Sequence, residues 1–291
     1  MNTLELEEEA FLHRSGMEAF LHRSGIDLDR FHEADIGWET VRAIVEHFRS
    51  IAPRLESPGH RISESLLSCP EVRFVKYRLK KETHLVEKII RKRIADSTRR
   101  FDERNYHRQL HDLVGVRALH LFKEDWISVH RYILSNWNLA DRPTAYIRAG
   151  DSETSLRYYR QYDCEVREHR FGYRSVQYLV SSPETAPPAV SEIQARTLFE
   201  EAWGEIDHVI SYPNDQANEL LLRLSLILSR FAADADELGS DIRYLKHRDA
   251  GFGAREAANM ESYPFLQNFV ESRLVRSDCL QTAQNRRIPR T

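Results

Sequence analysis

Apolar positions recur along this chain with two periods, one helical and one extended. Val41, Ile44, Val45 and Phe48 fall at helical spacing, so folded structure is expected to begin near Trp38 and to break at Pro53, Pro58 and Gly59. Val72 to Tyr77 alternates loosely and reads as a strand or an extended connection. Glu82 to Ile94 places Leu85, Val86, Ile89, Ile90 and Ile94 on one side of a helix. Leu113 to Phe122 is nearly all apolar and reads as a buried strand opened by Asp112. Trp126, Val129, His130, Ile133, Leu134 and Trp137 predict an amphipathic helix, whereas residues 138–171 are polar and show no clear period. Tyr173–Val180 and Val190–Thr197 read as two further strands around the loop Ser181–Pro188. A helix is predicted over Leu198–Ile210, and another from about Ala217 through Leu220, Leu221, Leu224, Ile227, Leu228 and Phe231. The last fifty residues are weakly helical. Helices and strands interleave without a strict βαβ rhythm, which points to an α+β fold: one mixed β-sheet flanked by helices, with a C-terminal helical extension.

This pattern divides the chain into an N-terminal extension (1–37), a main domain (38–235) and a helical extension with a tail (236–291). The N-terminal part contains a short duplication, Phe11-Leu-His-Arg-Ser-Gly16 and Phe20-Leu-His-Arg-Ser-Gly25. Two nine-residue copies are too few for a solenoid, so this part is expected to be peripheral.

Composition narrows the class. A chain of 291 residues, 41% apolar and 30% charged, suits a soluble globular protein. It has no run of 18 apolar residues, and its first residues are acidic (Glu5, Glu7, Glu8, Glu9), so neither a membrane span nor a signal peptide is expected. Cys69, Cys164 and Cys279 are odd in number and far apart, which fits reduced thiols in a cytoplasmic protein. The net charge of −3 argues against a generic polyanion binder. Residues 71–100 nevertheless carry eleven Lys/Arg against four acids, a local field that attracts polyphosphate or nucleic acid.

Two acids complement this basic segment. Asp112 stands at the mouth of one apolar strand and Glu192 lies within another, where Glu192, Gln194 and Arg196 share a face. A polar face on a central strand is costly to bury without partners, and suggests the floor of a cleft. Carboxylates on adjacent strands suit Mg2+, and Arg78, Lys80, Lys88 and Arg91 suit a triphosphate; phosphoryl-type transfer needs such positioning and charge more than covalent help.

The segments Arg78-Leu-Lys80, Lys88, Asp112-Leu-Val-Gly-Val-Arg117, Gly172-Tyr-Arg-Ser-Val176, Glu192-Ile-Gln-Ala-Arg-Thr197, Trp203 and Asp207-His208 occur in an order that resembles the synthetase domain of RelA/SpoT proteins, in particular the small alarmone synthetases, over about residues 40–235. The resemblance implies a nucleotidyltransferase-like fold and transfer of pyrophosphate from ATP to the 3′-hydroxyl of GTP or GDP. It assigns Asp112 and Glu192 to Mg2+, with Glu192 also the base. It assigns Arg78 and Arg117 to the donor adenine, Lys80, Lys88 and Arg91 to the donor phosphates, and Tyr173 and Gln194 to the acceptor. Arg174, Arg196, Trp203 and His208 are read as packing or orienting residues. The acceptor loop departs from the family's usual Asn-Pro-Lys-x-Asn-Gly-Tyr-Arg-Ser-Leu-His. His169 stands for the lysine, Phe171 for the asparagine and Gln177 for the histidine, with Arg167, Arg170 and Arg174 as candidate substitutes. This altered half keeps a second acceptor in view, the 3′ end of tRNA, as in toxin relatives that require an antitoxin. A homo-oligomer formed through terminal helices is the other partner expected. The His-Asp hydrolase signature of longer relatives is not found.

Overall fold

The computed structural model describes residues 16–148, 151, 153–169, 172–182, 189–211 and 218–249. They form a six-stranded mixed sheet in the order β1 (Val72–Leu79), β2 (Val114–His120), β6 (Ala189–Thr197), β5 (Ser175–Ser182), β3 (Thr144–Arg148), β4 (Glu165–His169). The β2–β6 and β3–β4 pairs are parallel and the others antiparallel. The helices are α1 (16–23), α2 (Leu28–Glu33), α3 (Trp38–Leu67), α4 (Glu82–Ala95), α5 (Tyr106–Gln109), α6 (Trp126–Asn136), α7 (Glu153–Arg160), α8 (Leu198–Ser211) and α9 (Glu219–Asp249).

Strand alternation gives the sheet two unlike faces. Val116, Ala118, Ala145, Val176, Tyr178, Ile193 and Ala195 join a buried core with Ile62 and Leu66 of α3 and Trp126, Val129 and Ile133 of α6. The opposite face is set by register: Arg78 pairs with Gly115, Gly115 with Glu192, Arg117 with Gln194, and Gln194 with Gln177. A second core, with Ile44, Phe48, Leu55, Leu85, Ile89 and Leu113, packs α3 against α4.

Three expectations from the sequence need correction. The break at Pro53, Pro58 and Gly59 does not occur, because α3 runs through all three residues. An interior proline costs a helix about 3 kcal/mol. Burial of Ile51, Leu55, Ile62 and Leu66 along the same helix, at about 1.5–3 kcal/mol each, offsets that loss. Gly59 is where Tyr77 of β1 packs against the helix, since a Cβ there would lie 2.1 Å from the Tyr77 ring.

Folded structure also begins before Trp38. Leu21, Ile26, Phe31 and Ala34 pack on Val41, Val45, Val86 and Ile90, so the second copy of the duplication is part of a core. Helices this short contain too few turns to display a period, which is why the pattern missed them. Most of the first copy lies outside the described residues. Finally, the unread segment 138–171 supplies β3, α7 and β4. β4 is an edge strand with exposed Arg167 and Glu168, and its composition hides it.

α9 is a single helix through position 235/236. Its buried positions are small or polar (Ser225, Ser229, Ala233, Asp236), whereas Leu220, Leu224, Ile227 and Phe231 are exposed. Cys69 and Cys164 are free and buried. Cys279, the arginine-bearing tail, Arg170, Phe171 and the 183–188 loop lie outside the described residues. No described helix is long and apolar enough to cross a membrane.

Candidate active site

The polar face of the sheet opens into a cleft of about 290 Å³ lined by Arg78, Lys88, Asp112, Tyr146, His169, Tyr173, Gln177, Glu192 and Gln194. Eight of the eleven residues singled out from the sequence meet here, drawn from β1, β4, β5, β6, α4 and the segments before β2 and β5. Lys80, Arg91 and Arg117 do not line it.

Asp112 is built in by the end of the β1–β2 ladder. The Lys80 amide donates to the Leu113 carbonyl at 2.9 Å, which brings the Lys80 side chain beside Asp112. Lys80 Nζ lies 2.7 Å from Asp112 Oδ2, and Lys88 Nζ, from α4, reaches the same oxygen at 2.6 Å. The Lys80 side chain is only 7% exposed, so it sits beneath the carboxylate rather than in open space. Burial by itself would raise the Asp112 carboxyl; the two ammonium groups outweigh it and hold the group well below the usual carboxylate range. Lys80 shifts down, because burial outweighs its attraction to Asp112.

Glu192 behaves oppositely. Burial raises its carboxyl, and the charge of Asp112 raises it further against the opposing pull of Lys88, Gln194 and Lys80. Gln194 Nε2 donates to Glu192 Oε2 at 2.7 Å. Two neighbouring carboxyls pushed apart in this way suit different duties: one a permanent anion, the other with a raised affinity for a proton.

The donor set also fits a hard divalent cation. Asp112 Oδ1 is buried and has no hydrogen-bond partner among the described residues. No cluster of three His, Cys, Asp or Glu that would form an all-protein metal cage occurs among those residues. Mg2+ commonly takes one or two carboxylates and completes its shell with water and substrate phosphates.

A narrow crevice continues from the cleft between Lys76, Arg78, Gly115 and Arg117. The Arg78 side chain lies across Gly115, where an added Cβ would stand 3.6 Å from Arg78 Cγ and Nε, an ordinary contact. Arg117 is gripped from α8: Nη1 donates to Glu201 at 2.7 Å and also to Glu205. Lys76 joins the same pair, 2.9 Å from Glu205. Partial burial alone would raise the Glu205 carboxyl, but bonds from Lys76 and Arg117 bring it down to about 2. Sequence reasoning missed Lys76, Glu201, Glu205 and Tyr146. Acids four apart at the start of a helix that follows a polar strand were the available signal for the glutamates. Arg91 is exposed on α4 and lines neither the cleft nor the crevice.

At the other end, Tyr173 forms the wall. Its hydroxyl donates to Gln194 Oε1 at 3.2 Å, Arg196 Nη2 donates to the same hydroxyl at 2.5 Å, and the Arg196 guanidinium stands 4.8 Å over the ring. Tyr146 and His169 pack edgewise or tilted around it. Arg196 is thus a wall residue as well as a packing one. Burial pushes the His169 imidazole down, so it stays neutral near pH 7. Two of the arginines proposed to replace the missing lysine are occupied elsewhere: Arg167 lies 2.7 Å from Glu165 on the exposed edge strand, and Arg174 is ion-paired with Asp151. Trp203 donates to the Ser225 carbonyl at 2.9 Å and fastens α8 to α9. His208 meets His84 across α8 and α4.

A mixed-sheet α+β domain with one charged face holding two carboxyls and several cations is the class that fold and site define. Residues 77–217 match the model of the region found in RelA and SpoT proteins, so the chain carries a RelA/SpoT domain. Among solved structures, it is similar to small alarmone synthetase 1 from Bacillus subtilis bound to its product pppGpp, at 21% identity over 68% of this chain and 97% of that one, with a TM-score of 0.51. A second structure of that synthetase gives 20% identity, 69% and 97% coverage and a TM-score of 0.52. A GTP pyrophosphokinase family protein from Streptococcus pneumoniae gives 20%, 71% and 98%, and 0.50. These likenesses establish the fold. No curated protein sequence matches the chain significantly.

Proposed function

We propose that this protein transfers pyrophosphate from ATP to the ribose 3′-hydroxyl of GTP or GDP. The observation that carries the reading is the meeting of Asp112 and Glu192 in one cleft with Arg78 and Lys88 on one side and Tyr173 on the other. Asp112 and Glu192 would hold Mg2+, which supplies positive charge against the triphosphate. Arg78 and Arg117 flank the place proposed for the donor base, a use to which planar guanidinium is suited. Lys88 neutralises phosphate oxygens, and Lys80 holds Asp112 in position. Glu192 takes the proton of the 3′-hydroxyl, and its raised affinity for protons suits that task. The 3′-oxygen then forms a bond to the β-phosphorus, the bond from that phosphorus to the α,β-bridging oxygen breaks, and AMP leaves with its electron pair. Tyr173 stacks on the acceptor base.

A second reading keeps this chemistry and changes the acceptor to the 3′ end of tRNA. It is favoured by the acceptor end of the cleft, where His169 is neutral, Gln177 is uncharged, and Arg167 and Arg174 are paired with acids. Such an end offers little charge to the 5′ phosphates of a free nucleotide, which a polynucleotide terminus does not present there.

One assay separates the readings: ATP labelled in its terminal phosphates, with Mg2+ and GDP, GTP or bulk tRNA side by side. Label in a pyrophosphorylated guanosine supports the first. Label in tRNA alone supports the second, and label in neither acceptor refutes both.

A further inference from the structure

α9 begins beyond the residues matched by the family model, and yet it touches the acceptor wall. Gly172 precedes Tyr173 and has φ +75°, a left-handed conformation that suits glycine. Its amide donates to the His169 carbonyl at 3.0 Å. A Cβ on Gly172 would stand 2.7 Å from Ser229 Oγ of α9 and 3.5 Å from Arg148 Cδ. Ser229 is itself buried, in the small and polar inner stripe of α9. Separate bonds on either side of this contact hold the helix down. Ser225 Oγ donates to Asp207 at 2.5 Å, the Thr197 hydroxyl donates to Asp236 at 2.8 Å, and Lys123 and Arg243 pair with Glu237 and Asp125.

We infer that α9 is a component of the acceptor wall, and that Ser229 is a positioning residue that holds Gly172 and, through it, the Tyr173 ring. This rests on the proposed reading of Tyr173 as the acceptor platform. The chain of contact is short. A side chain on Gly172 would push on Ser229 Oγ and would also strain a left-handed backbone, and a large group at 229 would press on Gly172 itself. The anchors of α9 lie on β6, α8 and the turn just before α6, so the helix cannot slide to relieve a larger group at 229 without breaking them.

The experiment is a set of variants, Gly172→Ala, Ser229→Leu, Ser229→Ala, Ser229→Gly and the double variant Gly172→Ala/Ser229→Gly, assayed for KM of the acceptor and of ATP separately. Gly172→Ala and Ser229→Leu should each raise the acceptor KM by on the order of tenfold or more, because small misplacements at a positioning contact are expensive. The ATP KM should stay within about twofold, because the donor side lies on other elements. Ser229→Ala, which removes the contacting Oγ without adding bulk, should raise the acceptor KM less than Ser229→Leu does. The double variant should recover part of the loss of Gly172→Ala: the clash is removed while the strained left-handed backbone remains. An acceptor KM untouched by Ser229→Leu, equal rises in both KM values, or a double variant no better than Gly172→Ala overturns the inference. The wild-type control separates this from the function itself: transfer by the wild type with unaffected variants sinks only the role of Ser229, whereas a wild type that transfers to no acceptor sinks both.

Discussion

Substituting the two carboxyls of the cleft should move stability in opposite directions. Asp112 is 11% exposed and balances Lys80, which is 7% exposed, and Lys88, which is 22% exposed. In Asp112→Asn those ammonium groups remain beside Arg78 with only the Glu192 carboxyl, whose charge burial opposes, to balance them. Removing one partner of a buried pair costs about 3–5 kcal/mol, and most of the penalty falls on Lys80, the more enclosed lysine. Glu192→Gln should be neutral or stabilising, since the native carboxylate is already opposed by burial and by Asp112. The pH dependence follows from the same shifts. A carboxyl depressed in the folded state contributes stability above its unfolded pKa and loses it as pH falls toward the folded value. The deficit of Asp112→Asn should therefore be full near pH 7 and shrink in acid. A carboxyl raised in the folded state contributes stability below its unfolded pKa and loses it as pH rises through the folded value. Glu192→Gln escapes that loss, so its advantage should grow from acid toward neutral pH. Urea denaturation at pH 2, 4, 6 and 8, without nucleotide or Mg2+, measures both. Equal stability of Asp112→Asn and wild type at pH 7, or shifts of the same sign in both variants, would refute the electrostatic account of the site.

Three further outcomes follow from the geometry. Both of these variants should lose transfer by at least about 10²-fold, because positioning and charge stabilisation are most of what such a site supplies; near-normal initial rates with either would mean the metal site is elsewhere. Glu205→Gln should loosen Arg117 and raise the KM for ATP several-fold while leaving the acceptor KM near wild type, and a change confined to the acceptor would show that Arg117 serves the other substrate. Asp236 is held up at about 8, by burial first and then by Glu200, against an ordinary value of 3.8. Its contribution is full in acid and falls as pH rises from about 4 to about 8, so Asp236→Asn, which can keep the bond from Thr197, should flatten that slope by a few kcal/mol. Thermal melts across this window that track the wild type would disprove it.

The central frame is legible in local sequence. Strong local periods marked α4, α6, α8, β2 and β6 close to their observed limits, because each carries enough buried apolar residues to display its own period. The alternation of Glu192, Gln194 and Arg196 against Ile193 and Ala195 already identified a polar sheet face. Tertiary structure decided what depends on distant partners. The continuity of α3 through two prolines comes from burial on the rest of the domain, which outweighs local propensity. β4 exists because β3 offers it an edge, and its own side chains do not announce a strand. Lys80 and Lys88 carry the same charge in the sequence, but the β1–β2 ladder buries one under Asp112 while the other faces the cleft. The closure of Gly172 against Ser229 joins positions 57 residues apart, and no local pattern encodes a contact of that span.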